Sequence, residues 1–124
     1  MVVEDDADTR ELIVELLHDD GYAVVSAGNG REALDASRHL PGAPSIILLD
    51  LMMPIMNGWE FLDERRHDPA LAGVPVLVLS ADPTRQLAAQ QGVAAIIAKP
   101  FDLTRLLRLV RAVTKAQSLP VYTV

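Results

Sequence analysis

Five polar residues stand where apolar runs end. Glu4 and Asp5 follow "MVV", Asp50 follows "SIILL", Ser80 follows "VPVLVL" and Lys99 follows "VAAIIA". An acid at the end of a run built for burial needs partners, because a lone charge out of water is costly. Two or three carboxylates held together repel unless a cation joins them. Hard oxygen ligands with room for water suit Mg²⁺, which takes one or two carboxylates together with a phosphate. A nearby lysine pairs with an acid and, as a point charge, can hold a phosphoryl oxygen; a hydroxyl can donate to another. Such a set can support an aspartyl nucleophile that accepts a phosphoryl group. The metal and the lysine would neutralise charge on the transferred oxygens.

For these residues to meet, the strands that carry them must share one edge of one sheet. Strand-length apolar runs alternate with segments of helical period along the chain. "MVV" closes a first strand, and a helix over 7–20 places Leu12, Ile13, Leu16 and Leu17 on one face. Asp8 is its expected N-cap, with Glu11 as capping-box partner, and Gly21 stops it. Strands are expected over 22–27, 45–50, 74–81 and 93–98, and helices over 28–40, 57–68, 82–92 and 102–116. Pro83 and Gly92 bracket the fourth helix. Leu103, Leu106, Leu107, Val110 and Val113 form a stripe on the last. The strands at 46–49, 76–79 and 95–98 are continuously apolar, the mark of strands covered on both faces. The expected architecture is α/β, a five-stranded parallel sheet with helices on both sides. Ligands in such sheets sit beyond the C-terminal strand ends, where the five polar residues stand.

The 124 residues fit one domain, and half of them are hydrophobic. A formal net charge of -6 argues against a general nucleic-acid binder. The absence of cysteine excludes disulfides and thiolate metal sites. No apolar stretch approaches the roughly 20 residues of a membrane span, and the start has no secretory pattern. A cytoplasmic domain with no membrane association is the expectation.

The pieces "VVEDD", "LLDLMMPIMNGWEF", "VLVLSA" and "AKPFD", in that order and at strand ends, resemble the receiver domain of two-component response regulators. The resemblance covers essentially the whole chain, with a receiver over 1–116 and a tail over 117–124. It implies a flavodoxin-like (βα)5 fold with strand order 2-1-3-4-5. It implies Asp50 as phosphoacceptor, and Mg²⁺ held by Asp5, Asp50, the Met52 backbone carbonyl and, through water, Glu4. Ser80 would turn its hydroxyl toward the phosphoryl group, and Lys99 would contact Asp50 and then the phosphate. Pro100 would follow a cis peptide bond, and Pro54 and Gly58 would shape the loop after the acceptor. The implied partners are a histidine kinase or histidine phosphotransfer protein, and a downstream protein or output domain bound through the fourth helix, fifth strand and fifth helix. Homodimerisation is left open. The chain would be no enzyme beyond autocatalytic phosphotransfer and autodephosphorylation.

Ile96 departs from the family pattern, which commonly has Tyr or Phe three places before the lysine. Two other readings stand beside the switch: a receiver-like interaction or dimerisation module indifferent to phosphorylation, and a haloacid-dehalogenase-type phosphatase. The latter needs a second acid two residues after the nucleophile, where this chain has Met52. His18, His39 and His67 have no metal-ligand spacing and are expected in solvent. Met52, Met53 and Met56 are expected to pack against the acceptor loop, Trp59 to shield the third helix, and Arg105, Arg108 and Arg111 to form a solvated face. "GNG" at 28–30 is a turn into a helix.

Overall fold

A computed structural model describes residues 1–81 and 93–116. One five-stranded parallel sheet has the order β2-β1-β3-β4-β5. Its strands are β1 (Val2–Val3), β2 (Ser26–Ala27), β3 (Ile47–Asp50), β4 (Val76–Ser80) and β5 (Val93–Ala98). The helices are α1 (Ala7–Asp19), α2 (Gly30–Ser37), α3 (Gly58–Arg66) and α4 (Leu103–Ala116). The expected helix over 82–92 and the tail over 117–124 lie outside the described residues.

Pleating sends alternate side chains to opposite faces, and both faces are buried. Val3, Ile47, Leu49, Val76 and Val78 join Ala33 and Leu34 of α2 and Phe61 and Leu62 of α3 in one core. Val2, Leu48, Leu77, Leu79 and Ile97 join Ile13 and Leu17 of α1 and Leu106 and Val110 of α4 in the other. This two-sided burial explains why the strands lack a polar alternation. It also leaves the C-terminal strand ends as the place where polar residues can gather.

Several local expectations are corrected. Asp6, not Asp8, caps α1, accepting the Thr9 N–H. Ile13 and Leu17 are the fully buried residues of α1, Val14 and Leu16 pack partly buried against the same core, and Leu12 is exposed. The second strand is shorter than 22–27 because β1 offers only Val2 and Val3 for pairing. Among the described residues, no helix is long and apolar enough to cross a membrane.

Candidate functional site

The ends of β1, β3, β4 and β5 meet in one polar cluster. Glu4 follows β1 and its side chain is wholly buried, at 0% exposure. Its Oε1 accepts from Lys99 Nζ at 2.7 Å. Its Oε2 is buried and has no hydrogen-bond partner. Lys99 Nζ also lies 3.3 Å from Asp50 Oδ1, which accepts the Met52 N–H at 3.3 Å. One carboxylate oxygen each from Glu4, Asp5 and Asp50 lies within 4.8 Å of the others. Ser80 ends β4 and is buried, one position beyond Leu79, the register partner of Asp50. The Ser80 carbonyl accepts the Lys99 N–H at 2.8 Å, tying the lysine backbone to β4 while its ammonium reaches across to Glu4. The Lys99–Pro100 bond is cis.

The charges are unequal in this crowded set. Burial, and then the neighbouring Asp50 carboxyl, push Glu4 up to about 7 against the pull of Lys99. Desolvation and Asp50 raise Asp5 as well. Burial works to raise Asp50, but the neighbouring Glu4 and Asp5 carboxyls, the Lys99 charge and the Met52 N–H outweigh it and hold Asp50 low. Burial likewise works to lower Lys99, and its two acid partners overcome it. Asp50 therefore keeps its negative charge at neutral pH, as a nucleophile requires. Glu4 takes up a proton more readily than an exposed glutamate does, which eases the repulsion.

The loop after Asp50 is held by close backbone approach. Gly58 donates its N–H to Leu51 O at 2.9 Å. A Cβ on Gly58 would lie 2.6 Å from Asp50 O and 2.7 Å from Leu51 Cα. Asn57 caps α3 in a full capping box with Glu60. Gly30, capped by Asn29 at the start of α2, donates to Met56 O at 3.0 Å. Met56 N–H in turn reaches Pro54 O at 2.7 Å around Ile55, which has φ 66. That three-residue turn is the strained γ form, rare for a β-branched residue.

Glu4, Asp5, Asp50, Ser80 and Lys99 thus gather at one edge, with Lys99 closer to Glu4 than to Asp50. Met53 is buried and Met56 packs against the α2–α3 core. Met52 departs from the expected packing and is 71% exposed, as is Ile55 at 81%. Both follow β3 where the chain leaves the sheet, and among the described residues no helix covers them. Trp59 packs against the same core, as does half-buried Ile96 in the place of the family's aromatic. His18, His39 and His67 are exposed. Arg105 and Arg108 are solvated, but Arg111 forms a two-pronged pair with Asp20. Sequence reasoning missed Arg10, whose Nη1 donates to Glu4 O at 2.9 Å; a lone arginine one turn into an amphipathic helix carries no distinguishing signal.

A family model described as the response regulator receiver domain matches residues 1–111. The chain belongs to this family. It is 35% identical over 123 residues to a transcriptional regulatory protein CpxR homolog of Haemophilus influenzae, covering 97% of this chain and 52% of that one. A CheY-like response regulator receiver domain of Methanospirillum hungatei has a TM-score of 0.77 at 28% identity, covering 94% of this chain and 96% of that one. The response regulator TrrA of Thermotoga maritima, solved in complex with Mg²⁺-BeF, has a TM-score of 0.75 at 27% identity, covering 90% and 95%. The chain spans about half the length of several curated relatives it matches, and 86% of a 14.6 kDa protein of Leptolyngbya boryana.

Proposed function

We propose that the chain is a phosphorylation-dependent signalling switch in which Asp50 accepts a phosphoryl group from a histidine kinase or histidine phosphotransfer protein. The observation that carries this is the position of Asp50 at the end of β3, with carboxylate oxygens of Glu4, Asp5 and Asp50 within 4.8 Å of one another and Asp50 Oδ1 3.3 Å from Lys99 Nζ. A carboxylate oxygen of Asp50 attacks phosphorus, the phosphorus–nitrogen bond to the donor imidazole breaks, and an acyl phosphate forms on Asp50. Lys99 moves from the acid pair toward a phosphoryl oxygen, and the Ser80 hydroxyl donates to another. The transfer leaves the chain with a covalent mark and no released product; water later removes it.

The acidic set suits Mg²⁺: three hard oxygens within reach of one another, one of them adjoined by a buried carboxylate oxygen that lacks a partner. Asp5, Asp50 and the Met52 carbonyl would hold the ion directly and Glu4 through water. Bound there, Mg²⁺ would neutralise charge on the phosphoryl oxygens. The Mg²⁺-BeF complex of TrrA supports this reading. The receiver unit runs to Ala116 and acts in the cytoplasm, and its output passes through β5, α4 and the segment between β4 and β5 to a downstream protein or output domain. Incubation with phosphoramidate and Mg²⁺ adds one phosphoryl mass to the wild type and none to Asp50→Ala. No gain in the wild type, or an equal gain in both, refutes the proposal.

A further inference from the structure

The paired residues of β1 end at Val3, so Glu4 keeps one last ladder bond to β2 and the turn beyond it is not placed by strand pairing. Its placement comes from hydrogen bonds at both ends. Glu4 N–H donates to Ala27 O at 3.0 Å. Glu4 C=O accepts from Arg10 Nη1 at 2.9 Å in a half-buried bond. The Arg10 N–H donates to Asp6 O at 2.8 Å in the first turn of α1. Arg10 therefore grips the turn twice, by guanidinium at Glu4 and by backbone at Asp6, with Asp5 between. Gly28 lies beside the arginine: a Cβ there would touch Arg10 Nη1 at 3.4 Å and Glu32 Oε2 at 3.4 Å, ordinary contact distances. The Gly28 N–H holds that glutamate oxygen at 2.8 Å.

We propose that Arg10 is a positioning residue for the acidic turn, setting where the Glu4 and Asp5 carboxylates stand relative to Asp50 and so the affinity of the cluster for a divalent cation. This rests on the reading of Glu4, Asp5 and Asp50 as a cation site. A residue whose two flanking peptides are both bonded, one through its N–H and the next through its carbonyl, has little freedom to rotate. The carboxylates it carries then need little rearrangement to share an ion. Groups that orient metal ligands in this way shift affinity without touching the metal.

The test uses the full chain as wild type, Arg10→Met and Arg10→Lys. Mg²⁺ binding is read by calorimetric titration. Amide hydrogen exchange at Asp5 and Asp6 is read without metal. Arg10→Met keeps the length and loses the donors: it weakens Mg²⁺ binding roughly tenfold and speeds exchange at Asp5 and Asp6, with the metal-free melting temperature little changed. Arg10→Lys, which keeps a cationic donor, restores most of both. Unchanged affinity in Arg10→Met, unchanged exchange there, or an equal loss in both variants overturns the proposal. A wild type that binds no Mg²⁺ overturns the cation-site reading itself, and the exchange comparison then still decides whether Arg10 holds the turn.

Discussion

Glu4 governs how the site behaves without a cation. Its folded pKa, raised to about 7 from an ordinary 4.5, means that the folded chain binds this proton more tightly than the unfolded chain. The stability from this group is fully present below pH 4.5 and is lost as pH rises through about 7. Asp50 has the opposite sign: its contribution is present above the usual carboxylate range and is lost as pH falls through its lowered value. Glu4 is therefore expected to contribute a fall in the urea midpoint of the metal-free protein between pH 5 and pH 8, opposed by the buried Met1 ammonium, which burial lowers to about 5. Glu4→Gln flattens that fall, and saturating Mg²⁺ opposes it by favouring the ionised acids. At Gly58 the constraint is steric. Gly58→Ala forces a methyl to within 2.6 Å of Asp50 O, an overpacking expected to cost about 2 kcal/mol of unfolding free energy. Urea titration measures the loss, and slower loading of Asp50 by a small phosphodonor would report the displaced acceptor strand.

Among the elements, α3 depends on both of its ends. Asn57→Ala removes the capping box that starts it, with an expected loss of about 1 kcal/mol. Arg65, wholly buried, ties the helix to Ala72 O at 3.2 Å and Val74 O at 2.5 Å in the chain leading to β4. Arg65→Ala strips both bonds and the packing, for an expected loss of about 3 kcal/mol. Chemical denaturation of the two variants checks both. Nothing in "DERRHD" distinguishes Arg65 from exposed Arg66, because that difference depends on a loop arriving from nine residues away. The sheet was legible because strands buried on both faces read as unbroken apolar runs, and the order of the polar strand ends carried the site with it. Strand β2 was less legible: its length depends on how much of β1 is there to pair, which local propensity does not contain. The N-cap shifted from Asp8 to Asp6 because "DDAD" offers several acids at a helix start, and only the geometry of the turn selects among them.

Across the whole molecule, the two cores lock the sheet between helix pairs, and a second set of ties joins α4 to the turn after α1. Arg111 pairs with Asp20, and the Tyr22 hydroxyl lies 3.1 Å from Thr114 Oγ1. The proposed phosphorylation site occupies the opposite end of the sheet, at the C-terminal strand edges, so a change there can act on the surrounding loops without unmaking the cores. Binding of Mg²⁺ to the folded form alone would stabilise the whole domain by linkage, by about 2.7 kcal/mol at a hundredfold excess over its dissociation constant. The wild type is expected to melt higher as Mg²⁺ is added, while Asp5→Ala and Asp50→Ala lose most of that response. The central claim is that Asp50 becomes an acyl phosphate. An acyl phosphate, unlike a serine phosphate, is cleaved by hydroxylamine to leave a hydroxamate on the side chain that carried it. Peptide mapping after phosphoramidate, Mg²⁺ and hydroxylamine should place the hydroxamate on Asp50 alone. A hydroxamate on another acid, or a hydroxylamine-resistant phosphate on Ser80, would contradict the account.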